Sequence, residues 1–169
     1  MLSSIAAYAA IIVFVSVSLA AALSDLLSMK IRNELILALL ISYIVIAPLA
    51  GVQLDTMLHS ALIALCVFVV ASILFGFGWI GGGDAKLAAV TSLWLGSLTQ
   101  VYIVNAAIIG LVVTLAIMII RNFQTVLTPR WPLCRKLLTK GEGVPYGVAL
   151  AAAGLMTFVK SSWLVLLLN

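Results

Sequence analysis

The sequence predicts an all-α integral membrane protein of about six transmembrane helices, and three observations carry the membrane reading. Of 169 residues, 65% are hydrophobic and only 8% are charged, where an average soluble domain carries about 25% charged residues. The charged side chains bound long uncharged runs at 1–24, 35–54, 56–83 and 87–120, and from Gly143 onward only Lys160 interrupts the apolar tail. The basic residues fall on alternate connections between those runs. Together these exclude an ordinary soluble domain.

A membrane helix needs roughly 20 apolar residues at 1.5 Å rise each, so the first three runs supply one helix apiece, expected near 4–24, 34–50 and 57–77. The first run has no basic segment and no charge before Asp25, and so reads as a permanent helix rather than a cleaved signal peptide. The run at 87–120 would reach roughly 50 Å as one helix, against a hydrocarbon core of about 30 Å. Gly96-Ser97-Leu98-Thr99-Gln100 offers turn chemistry to break it, which gives helices near 81–98 and 100–120. A last helix follows near 144–166, and residues 1–169 form one polytopic domain without repeats or soluble insertions.

With the helices laid end to end, Lys30, Arg32, Lys86, Arg121, Arg130, Arg135, Lys136 and Lys140 share one face, which the positive-inside rule makes cytoplasmic. Both termini then point outward from a bacterial cytoplasmic membrane. Lys160 departs from the pattern, at a position where its long side chain can snorkel to the outer interface. Topology thus accounts for the net charge of +4, and nothing in it calls for nucleic acid. The basic connection at 121–142 is either a stop-transfer loop or a docking segment for anionic lipid or a partner. Cys66 and Cys134 are too few for a disulfide framework or a four-cysteine zinc site.

Acidic residues are scarce: Asp25, Glu34, Asp55, Asp84 and Glu142. Charge near a membrane helix is costly and marks function or a water-lined cavity. Asp25 closes the first helix, and Asp84 follows Gly81-Gly82-Gly83 on the same face, so the two carboxyls stand at similar depth. Such a pair is the minimum apparatus for peptide hydrolysis by an activated water, because close like charges share one proton. Position alone equally allows two unrelated interfacial charges balanced by Lys30, Arg32 and Lys86. The glycines permit another backbone to approach closely.

Gly81-Gly82-Gly83-Asp84-Ala85-Lys86-Leu87, continued by Trp94-Leu95-Gly96, closely resembles the GxGD stretch and following helix of the type IV prepilin peptidases. Asp25 through Asn33 is similar to that family's first motif, except that Arg32 stands where many members have Pro. Val144-Pro145-Tyr146-Gly147 is similar to its Pro-aromatic-Gly entrance to the last helix. The short chain and the brief connection after Asp25 look like the small Flp/Tad-type peptidases without a methyltransferase domain; the archaeal preflagellin peptidases share the GxGD motif. The resemblance implies a GxGD aspartyl protease-like bundle in which Asp25 and Asp84 are the catalytic pair of an aspartic endopeptidase, with no metal or organic cofactor. Its partners are then the bilayer and a prepilin or pseudopilin, whose leader is cut at the cytoplasmic face just before the hydrophobic helix. Larger members insert after the first motif a domain associated with N-methylation, for which this chain has no room.

Gly81, Gly82, Gly83, Lys86, Lys30, Pro145, Tyr146 and Gly147 are the candidates for holding the substrate. Each has a plainer reading: Lys86 and Lys30 as positive-inside charges, Pro145 as an ordinary helix start, the glycines as a turn. Lys86 could instead hold the Asp84 carboxylate or an acidic substrate side chain. Asn33 is expected to cap the second helix, Glu142 to be solvated, and Asp55 and His59 to lie toward the outer face, away from the aspartates. Trp79, Trp94, Trp131 and Trp163 are expected as interfacial anchors. The rival to an enzyme is a small transporter or a pilus-assembly scaffold. A transporter would show inverted repeats and broken midplane helices, and neither is present in the sequence.

Overall fold

The computed structural model describes residues 2–122 and 143–165. Arg130, Trp131, Cys134, Arg135, Lys136, Lys140 and Glu142, about which the sequence raised expectations, lie outside the described residues. The chain is an all-α membrane protein with no strand among the described residues. In order come α1 (Leu2–Ser28), α2 (Asn33–Leu49), α3 (Leu54–Gly76), α4 (Gly82–Leu95), a 3-10 turn (Gly96–Leu98), α5 (Thr99–Asn122), α6 (Tyr146–Phe158) and the short α7 (Ser162–Val165). By length and composition, α1, α3 and the stretch Gly82–Asn122 suffice to cross a membrane, and α2 and α6 are shorter apolar helices.

The long apolar run divides where a glycine can take a backbone that other residues avoid. Gly96 has φ +53°, in the region open to glycine at little cost. The Thr99 hydroxyl closes the turn by donating to the Gly96 carbonyl at 2.7 Å. A Cβ at Gly96 would also lie 2.8 Å from Ser60 Oγ on α3. The result is a helix α4 of only 14 residues, about 21 Å long, which returns as α5. The last helix is shorter than the composition suggests: α6 has 13 residues, and a turn through Lys160 and Ser161 separates it from α7. Lys160 therefore sits exposed in that turn and not partway along a continuous helix.

Packing in a bilayer gains little from hydrophobicity and relies on small residues that let backbones come close. Ala7, Ala10 and Ala21 of α1 and Ala149, Ala153 and Gly154 of α6 are buried, and α1 packs against α6. A Cβ at Gly154 would stand 3.0 Å from Thr91 Cγ2 of α4. Around this contact lies an aromatic core. Phe14 stacks on Phe158 with ring centroids 4.1 Å apart, and Tyr43 meets Trp94 edge-on at 5.5 Å. Trp94 and Trp163 are 2% and 4% exposed, which overturns their reading as interfacial anchors. Each indole N–H is instead spent inside: Trp94 donates to the Leu39 carbonyl at 3.0 Å and Trp163 to the Trp94 carbonyl at 2.9 Å. Trp79, 76% exposed, remains free to serve as an anchor. The bundle is thus held at its middle and at the end of the Gly96 turn. The opposite end, where α1 stops and α4 and α6 start, is left open for a cleft.

Candidate active site

At that open end a cleft of about 260 Å³ is lined by Asp25, Met29, Lys30, Ile31, Gly81, Gly82, Gly83 and Asp84. Both aspartates of the first two motifs therefore face one space, although they are far apart in sequence. Asp25 lies one turn inside α1, which runs on to Ser28, and does not end the helix as the charge pattern suggests. It is 5% exposed. Its Oδ2 accepts the Gly147 N–H at 2.7 Å, so the start of α6, which has no turn of its own behind it, supplies one of its free backbone donors to this carboxylate.

The absence of a side chain at Gly147 is what permits that bond. A Cβ there would lie 2.8 Å from Asp25 Oδ2 and 2.8 Å from Ile31 Cδ1. Ile31 fills the same corner from the other side, since a Cβ on Gly83 would approach Ile31 Cβ to 3.1 Å. Gly82 lies against the Phe75 ring, 3.3 Å from where its Cβ would be. Gly81 precedes α4, and its N–H donates to Asp84 Oδ2 at 3.2 Å. That is half of a capping box, with the acid on the helix's third residue. Each acid is thus oriented by one backbone N–H belonging to a glycine.

The wall between Asp25 and α2 is a strained turn. Met29 has φ +55°, a left-handed conformation that costs an L-residue about 1–2 kcal/mol. Its N–H returns to the Asp25 carbonyl at 2.8 Å. The Ser24 hydroxyl donates to the Lys30 carbonyl at 2.8 Å and ties the reversed chain down, while the Ser28 hydroxyl donates to the Ser24 carbonyl at 2.6 Å and lies 3.1 Å from the Lys30 carbonyl. Sequence reasoning gave these serines no role. Their spacing of four on α1, ahead of a sharp stop, was the available signal.

Other candidates fall elsewhere. Lys30 is exposed at the cleft rim. Lys86 is absent from the cleft lining and donates to Asn33 Oδ1 at 3.1 Å, which joins α4 to α2. Asn33 consequently does not cap α2; the cap position is Arg32, with no side-chain cap bond. Arg32 pairs with Glu34 at 2.8 Å in the open, both side chains about 70% exposed. Pro145 is buried directly before α6. The Tyr146 ring lies over Gly110 of α5, where an added Cβ would come within 2.6 Å of its hydroxyl. Arg121 donates to the Gly143 carbonyl at 3.0 Å, so the end of α5 meets the approach to α6. His59 lines a separate small polar pocket with Ser60, Tyr43 and Trp163, beside the Gly96 turn.

Residues 12–119, most of α1 through nearly all of α5, match the type IV leader peptidase family. The chain belongs to the type IV leader peptidase family. Membership makes it a membrane protease whose substrate is of the prepilin type. The match covers both aspartates and the glycine triplet, whereas the α6 residues that contact Asp25 lie beyond its end. No curated protein and no solved structure matches the chain significantly.

Proposed function

We propose that this leader peptidase is an aspartic endopeptidase of the small, Flp-pilus type, and that Asp25 and Asp84 hydrolyse the leader of a prepilin or pseudopilin at the cytoplasmic face. The observation that carries the reading is that both carboxyls line one cleft, walled by glycine backbone and oriented by the N–H groups of Gly147 and Gly81. One carboxyl is ionised and takes a proton from water as the water attacks the scissile carbonyl. The other is protonated and donates a hydrogen bond to the carbonyl oxygen as charge builds there. The proton taken from water then passes to the leaving amine when the C–N bond breaks. Two carboxyls sharing one proton supply both roles, and no covalent intermediate arises.

Gly81, Gly82 and Gly83 leave backbone uncovered along the cleft, which suits an extended peptide laid against it. Lys30 stands at the rim, while Pro145, Tyr146 and Gly147 lie behind the cleft lining, where Gly147 holds Asp25 and the other two set the start of α6. Lys86, bonded to Asn33, is assigned to joining helices and not to substrate. The orientation follows from the basic residues: the cleft end carries Lys30, Arg32, Lys86 and Arg121, which the positive-inside rule puts in the cytoplasm, with both termini outside the cytoplasmic membrane. The whole chain acts as one domain.

The test is to reconstitute the purified protein in vesicles with a Flp-type prepilin and to weigh the product. The expected product is a pilin shortened at the junction of leader and apolar helix, with a free amine even when S-adenosylmethionine is supplied, and cleavage persists in a metal chelator. An intact prepilin, or cleavage lost to chelator and restored by one metal, overturns the reading.

A further inference from the structure

One unexplained feature of the described residues is an apolar cavity of about 360 Å³ on the lipid-facing side. Its walls are α3, through Cys66, Val70 and Leu74, and α5, through Ile103 and Ala107; Ala88 of α4 and Tyr146 of α6 form its floor. α3 packs on α4 and α5 on α6, while α3 and α5 make little direct contact, so a slot stays open between the two long spans. Two observations separate this slot from ordinary lipid-facing surface.

The cavity runs up to the cleft. Ile80 and Tyr146 line it, and each directly precedes the glycine whose N–H holds a carboxylate, Gly81 and Gly147. Small residues from both walls and the floor, Ala71, Ala106 and Ala88, line it, the composition that lets another helix approach closely in a bilayer.

We infer that the α3–α5 slot is the docking site for the substrate's apolar helix, whose large side chains enter the cavity beside Ala88 and Ala107 while the bond at its N-terminal end reaches Asp25 and Asp84. This rests on the proposed peptidase site and adds how the substrate is held there. The occupant is a transmembrane helix, because the slot opens sideways between two spans and its walls are almost wholly apolar. The cavity is too small for a whole helix and suits a few large side chains from one face.

Two measurements test it. Ala107 and Cys66 are exposed on the slot walls, outside the packed core, so A107W fills the slot without disturbing packing between helices. Ile108, 57% exposed and outside the slot, supplies the control I108W. A107W should raise KM for full-length prepilin by about tenfold, an overpacking effect, with kcat little changed, while I108W matches the wild type. Independently, D84N protein with C134S and the native Cys66 is oxidised with prepilins carrying single cysteines along the apolar helix. Cross-links should recur every three to four residues, marking one helix face. Equal KM values for both tryptophan variants, or cross-links without periodicity, overturn the slot. Cleavage by D84N itself would count against the aspartate pair and leave the cross-linking pattern readable.

Discussion

Replacing Gly147 by Ala adds one methyl group at the most crowded point of the site. The new Cβ would lie 2.8 Å from both Asp25 Oδ2 and Ile31 Cδ1, well inside van der Waals contact. Something must move, and the carboxylate is the smaller group to displace. Moving it breaks the 2.7 Å bond from the Gly147 N–H, and a hydrogen bond to a charged group is worth about 1.5–3 kcal/mol. At 1.4 kcal/mol per factor of ten, cleavage should fall by about 10- to 100-fold. Ala is otherwise the better helix former by about 1 kcal/mol, so a loss cannot be assigned to a weaker α6. The assay is the initial rate of prepilin cleavage in vesicles, read beside the thermal unfolding midpoint. Adding Ile31→Val removes the Cδ1 clash and should recover stability without recovering rate, since the clash with Asp25 stays. Wild-type cleavage by Gly147→Ala, or full recovery of rate in the double variant, would refute the claim that this N–H positions Asp25.

Trp94→Phe should lower stability by about 1 kcal/mol, the net worth of its bond to the Leu39 carbonyl, and leave cleavage at low temperature intact; a thermal melt beside a rate measurement checks both. Single cysteines replacing Val52 and Leu98, in a background lacking Cys66 and Cys134, should react with an impermeant thiol reagent in intact cells. A cysteine at Ser28 should react only after the membrane is opened, and the reverse pattern would invert the orientation. The rate of cleavage against pH should be bell-shaped, with two macroscopic pKa values that belong to the aspartate pair; a single sigmoid would argue for one titrating acid.

Composition and charge spacing were enough to read the all-α membrane class, because a bilayer punishes any buried charge and so writes the helix limits into the sequence. The break at Gly96 was legible for a similar reason: 34 uncharged residues exceed one span, and a glycine stood where the turn was needed. Side-chain partnerships were less legible. Trp94 and Trp163 look like interfacial anchors because tryptophan often is one, yet their N–H groups reach backbone carbonyls within the core. Lys86 could be read equally as a partner for Asp84 or the substrate and as a positive-inside charge; on a helix residues two apart do not face each other, and its amine reaches Asn33 of α2. The motif residues were visible as types. What the sequence could not show is that Gly147 serves as a donor to Asp25, a contact across 122 residues.

The central claim is that Asp25 and Asp84 together do the chemistry, and the most direct measurement is prepilin cleavage by D25N and D84N, each purified and reconstituted at matched amounts, with D55N as the control at the far end of α3. Asn keeps the shape of the side chain but cannot share a proton. Each site variant should insert and melt nearly as the wild type does while releasing no detectable leader, and D55N should cleave normally. Substantial cleavage by either D25N or D84N would contradict the account.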